Sequence, residues 1–66
     1  MGRSSVIQRA LYDASTRKLT ITLASGRSYV YEDVPHETYA AFMAAESQGG
    51  FYNAHIRDAY CMHELE

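Results

Sequence analysis

The side chains with any capacity for chemistry in this chain are three histidines, one cysteine, six tyrosines and five arginines. His36, His55 and His63 are not spaced i, i+4, and Cys61-x-His63 is closer than the usual zinc-ligand spacings. A lone cysteine excludes an internal disulfide and a four-cysteine metal site. Cys61 as a nucleophile, with His63 or His55 as base, also needs an orienting group and an anion pocket. A chain of 66 residues leaves little room for such a cleft. No glycine-rich phosphate loop is present, and Gly49-Gly50 is placed to stop a helix. The expectation is therefore no catalysis, no cofactor and no metal.

What remains is recognition. Tyr29 and Tyr31 stand two apart, so on a strand they share one face. Exposed there, they form a platform on which unstacked bases can lie. Turned inward, they are core. Arg57 follows Ile56 and precedes Tyr60; its guanidinium is suited to clamp a phosphate or carboxylate in two places. It could equally hold Asp13, Asp33 or a helix C-terminus. Asn53 is expected as a helix N-cap and Ser47 as a partner of nearby backbone. Tyr29, Tyr31, Asn53, Arg57 and Tyr60 make up the candidate nucleic-acid site. Arg17, Lys18 and Arg27 could add a weak basic patch at one end of the sheet, although a solvated surface is the default for such charges.

Composition sets the frame. Hydrophobic residues are 47% and charged residues 21%, which suits a folded domain rather than a disordered chain. The formal charge of −2 gives no help to a nucleic-acid reading, so any such site must be local. A domain of this size buries only about 60% of its unfolded surface, which puts most large apolar residues in the core. The lone thiol and the absence of an apolar leader or of about 20 consecutive apolar residues point to the cytoplasm and away from membranes. Leu65 and Glu66 look like a remnant of cloning and are left out of the argument, which gives a single domain over residues 4–64.

The elements that must position these side chains can be read from patterning. Residues 5–13 form a strand in which Ile7 and Tyr12 are an odd number apart; a bulge near Gln8 and Arg9 would give them a common face. Lys18 to Leu23 alternates without fault, with Leu19, Ile21 and Leu23 on one side. A hairpin to the strand Arg27–Val34 follows. With a two-residue loop, Tyr29 lies opposite Thr22 on the open face. With a three-residue loop and Gly26 in a left-handed bulge, Tyr29 lies opposite Ile21 and Tyr31 opposite Leu19. A one-residue slip flips every side chain, and the second register gives the more consistent pattern. Val34-Pro35 ends the strand, and Tyr39, Phe42, Met43 and Glu46 lie at helical spacing, so residues 36–47 form an amphipathic helix. A short second helix begins at Asn53 and turns Ile56 and Tyr60 inward. The architecture is α+β: a three-stranded antiparallel meander, a helix, then a short C-terminal helix.

In that order these residues resemble the KTSC domain family over about residues 4–60. The markers are Ser4-Ser5 with Ile7, Tyr12-Asp13, Leu19-x-Ile21-x-Leu23, Gly26, Tyr29-x-Tyr31 and Val34-Pro35, then Tyr39, Ser47-x-Gly49, Phe51, Asn53 and Ile56-Arg57-x-x-Tyr60. Leu11 stands where the family often has glycine, and Phe51-Tyr52-Asn53 where a polar residue is common. The family takes its name from a C-terminal segment of some lysyl-tRNA synthetases and also occurs as stand-alone bacterial or phage proteins. The resemblance therefore implies RNA or tRNA as a partner. Net acidity and exposed edges of the sheet, at the first or third strand, favour a protein partner or a second copy instead.

Overall fold

The computed structural model describes residues 7–65; Arg3, the Ser4-Ser5 marker, the start of the first strand and Glu66 lie outside them. The elements run β1 (Ile7–Asp13), β2 (Lys18–Leu23), β3 (Ser28–Tyr31), α1 (His36–Ala44), α2 (Gln48–Phe51), a π-helical turn (Tyr52–Ile56) and β4 (Met62–Leu65). The sheet has four antiparallel strands in the order β1-β2-β3-β4, one more than the sequence pattern suggests. β4 covers the outer side of β3, so the third strand is not an edge. The edges are β1 and β4.

The expected irregularity in β1 is present: the pairing with β2 shifts between Ile7 and Arg9. It brings Ile7, Ala10 and Tyr12 to the face that carries Leu19 and Ile21. The β2–β3 register is the three-residue-loop alternative, with Ile21 opposite Tyr29 and Leu19 opposite Tyr31. Leu23 N–H donates to the Arg27 carbonyl at 2.8 Å, and Gly26 N–H donates to Leu23 at 2.9 Å. Gly26 has φ +98°, a region open to glycine and strained for residues with a Cβ. Gly26→Ala is expected to lower stability by about 1–2 kcal/mol, read as a lower urea midpoint at unchanged slope.

The core is Leu19, Ile21, Tyr31, Val34, Phe42 and Ile56, all fully buried, with Ile7 and Tyr52 nearly so. Tyr12 joins α1 to the sheet. Its ring stacks on Tyr39 at 4.6 Å, and its hydroxyl donates to the Val34 carbonyl at 2.7 Å. Phe42 packs from α1 against the sheet and meets the Phe51 ring at 6.2 Å.

The helical part departs from expectation in three ways. First, α1 ends at Ala44, with Ala45 extended (φ −67°, ψ 143°). Met43 is 48% exposed rather than core. Second, Gly49 and Gly50 lie inside α2 instead of stopping a helix. Ser47 caps that helix, its Oγ accepting from Gly50 N–H at 3.0 Å. A Cβ on Gly50 would sit 3.0 Å from the same oxygen, which explains why a glycine is accommodated there. Third, Asn53 is not an N-cap, because the helix has already begun five residues earlier; Asn53 lies exposed in the π-helical turn.

Leu65 pairs with Ser28 at the end of β4. All four β4 side chains are exposed. Ordering four residues costs about 1–2 kcal/mol each in backbone entropy, and no buried apolar side chain offsets it. β4 is held by its ladder and by two solvent-exposed pairs, Arg27 Nε to Glu64 at 4.0 Å and His63 Nδ1 to Glu32 at 3.4 Å.

Candidate functional site

A cleft of about 400 Å³ opens where the covered face of the sheet meets the second helix. Leu23 comes from β2, Tyr29 and Tyr31 from β3, and Met62 from β4; Tyr52, Asn53, Arg57 and Asp58 come from the opposite wall. The sheet wall follows from the hairpin register, which turns Tyr29 and Tyr31 toward the helices. The helical wall follows from the π-helical turn, in which Arg57 N–H donates to the Tyr52 carbonyl at 2.8 Å, five residues back. In this wider turn, residues four apart stack. Tyr52 and Ile56 share the buried side, and Asn53 and Arg57 share the adjoining exposed one. Such turns occur frequently at functional sites.

Four of the five candidate residues, Tyr29, Tyr31, Asn53 and Arg57, thus line one cleft. Tyr60 belongs elsewhere: its hydroxyl pairs with Thr38 Oγ1 of α1 at 3.2 Å, and its ring is partly buried against the core. The two β3 tyrosines also do different jobs. Tyr29 is half-buried at the cleft wall. Tyr31 is fully buried, its ring edge-on to Tyr52 at 5.8 Å and 83°, with the two hydroxyls 2.5 Å apart. A paired stacking platform is therefore absent, because the register that orders the core hides one of the two rings. Burial first, then the hydrogen bond to Tyr52, holds the Tyr31 phenol well above its usual range; the nearby Arg57 charge pulls weakly the other way.

Arg57 is exposed and forms no ion pair among the described residues, so neither Asp13 nor Asp33 holds it. Arg27 stands at the same end of the sheet, beside the Tyr29 phenol and Glu64, both of which hold its proton more firmly. Lys18 and Arg27 do not gather into a patch. They flank opposite ends of β2, a strand of six residues that spans roughly 20 Å.

Leu23, Tyr52, Asp58 and Met62 complete the cleft without having been candidates. Tyr52 was legible only as core, and Met62 required β4. Among the described residues no group of three or more histidine, cysteine, aspartate or glutamate side chains could hold a metal ion. No helix among them is long and apolar enough to cross a membrane.

The arrangement defines a small α+β domain in which a four-stranded meander is covered on one face by two helical segments, with a mixed polar and apolar cleft at their junction. A family model described as the KTSC domain matches residues 3–60, and the chain belongs to that family. A Tsukamurella paurometabola protein is 35% identical over 57 residues, which cover 86% of this chain and 85% of that protein. The crystal structure of a KTSC domain protein from Yersinia pestis superposes with a TM-score of 0.80 at 30% identity, covering 100% of this chain and 94% of that one.

Proposed function

We propose that this KTSC domain is a non-catalytic, cytoplasmic binding module whose cleft seats one unstacked nucleotide of single-stranded RNA. The observation that carries the proposal is the meeting of Tyr29 with Asn53 and Arg57 across one cleft: a half-buried aromatic wall, an amide and a guanidinium that has no ion pair among the described residues. The base lies against Tyr29, Leu23 and Met62, Asn53 offers its amide to the base edge, and Arg57 takes the phosphate. One stacked base is worth about 1–3 kcal/mol and a charge-assisted hydrogen bond about 1.5–3. Against the cost of association, that sum makes a single domain a weak binder, with a dissociation constant on the order of millimolar or weaker. Asp58 on the same rim limits the attraction for phosphate alone.

The test is a titration of the protein with a short single-stranded oligoribonucleotide, followed by amide NMR at two salt concentrations. Shifts should concentrate on Tyr29, Asn53 and Arg57, and affinity should fall with a log–log salt slope of about −0.7 per phosphate contacted. Arg57→Ala should weaken binding about tenfold with an unchanged melting temperature. An unmoved spectrum at low salt ends the RNA proposal. The competing reading, a protein partner, draws on the net charge of −2 and on the uncovered sheet face, where Leu11 is 56% exposed.

A further inference from the structure

β4 is built unlike the other strands. It places no side chain in the core, whereas β2 places Leu19 and Ile21 there and β3 places Tyr31. Glu32 N–H donates to the Cys61 carbonyl at 2.9 Å, so by antiparallel alternation the backbone groups of Cys61, His63 and Leu65 face β3. Those of Met62 and Glu64 face away from the sheet. Among the described residues, this ladder, the two exposed pairs Arg27–Glu64 and Glu32–His63, and the half-shielded side chains of Met62 and Leu65 hold the strand. Exposed pairs of that kind contribute little. The base of the strand is fixed better: Tyr60 packs on the core and is tied to Thr38. The exposed Cys61 is thus the point at which the chain passes from the anchored Tyr60 to β4.

We propose that β4 is a displaceable strand, and that the β3 edge beneath it is a docking site for the β4 of a second copy of this chain, giving a strand-exchanged dimer. The occupant follows from the structure, since Met62-His63-Glu64-Leu65 is the segment seen to fit that edge. A second copy supplies the same ladder and the same pairs, so exchange loses no contact made in the monomer. The low side-chain burial of β4 is what lets it leave while the core of each copy stays intact. The proposal does not depend on RNA binding.

The experiment uses the full chain with Ser28→Cys and Leu65→Cys, which face each other across β3 and β4, and Cys61→Ser to remove the native thiol. Mild oxidation at increasing protein concentration is read on a non-reducing gel. Exchange gives a covalent dimer whose share rises with concentration. Only internally bridged monomer at every concentration overturns the proposal. Amide exchange on the unaltered protein provides the second measurement: His63 and Leu65 should be protected at least 100-fold less than Ile21. Equal protection of the two strands also overturns it.

Discussion

Phe42→Ala is expected to lower the stability of the protein by about 3–5 kcal/mol and to drop its melting temperature accordingly. Phe42 is fully buried and is the residue through which α1 enters the core, against the sheet and Phe51. Truncating a buried phenylalanine to alanine costs about 3–5 kcal/mol, from lost burial and from the cavity left behind. A stability of about 0.05–0.15 kcal/mol per residue gives a chain of 66 residues roughly 3–10 kcal/mol in total. The substitution therefore removes between a third and all of it. The cavity cannot collapse easily, because α1 is held at both ends, by the Tyr12–Tyr39 stack and by the Thr38–Tyr60 bond on one side and by the capped start of α2 on the other. Far-UV circular dichroism against temperature reads the result. Met43→Ala, one residue away, is the control: that side chain is 48% exposed, and its loss should change stability by no more than about 0.5 kcal/mol.

The same contrast shows what could be read from the sequence and what could not. Lys18–Leu23 was legible to the residue because its alternation has no fault, and the bulge in β1 was legible because Ile7 and Tyr12 have the wrong parity for one face. The hairpin register followed from asking which loop length leaves charged residues outside. These are local rules with a strict period. β4 obeys none of them. Its apolar residues, Met62 and Leu65, are three apart, so they cannot share a face of a strand, and all its side chains are exposed. It is a strand only because β3 offers an edge, which is a non-local fact. The helix boundaries failed for a related reason. Gly49-Gly50 carries the sign of a helix stop, yet Ser47 just upstream supplies the cap that starts a new helix through both glycines. Asn53 is a good cap by type but arrives after that helix has begun. In the cleft, Tyr29, Asn53 and Arg57 were identifiable by residue type, and their convergence depends on the π-helical turn. The separation of Tyr31 from Tyr29 in role needed the Tyr52 hydroxyl, a contact 21 residues away.

That contact sets the second large effect, a loss of stability at alkaline pH that Tyr31→Phe should abolish. In the unfolded chain the Tyr31 phenol ionises near its ordinary value of 10.0; in the folded domain burial and the Tyr52 hydrogen bond hold the proton well above that. Below pH 10 both states carry the proton, and the group leaves stability independent of pH. Above pH 10 the unfolded state binds fewer protons than the folded one, so stability falls as pH rises. The slope approaches about 1.4 kcal/mol per pH unit for one such group. Urea midpoints at pH 9, 10 and 11 should therefore drop progressively in the wild-type protein. Tyr31→Phe removes the ionising group and should flatten that decline. It has its own cost at neutral pH of about 1–3 kcal/mol if the Tyr52 hydroxyl, on a nearly buried residue, is left without a partner. The double variant Tyr31→Phe, Tyr52→Phe then decides the matter. With both hydroxyls gone no polar group is stranded, so its neutral-pH stability should exceed that of the single variant while its alkaline decline stays flat. A decline in the double variant as steep as in the wild-type protein would place the alkaline sensitivity in another group and leave the Tyr31–Tyr52 pair with a packing role alone.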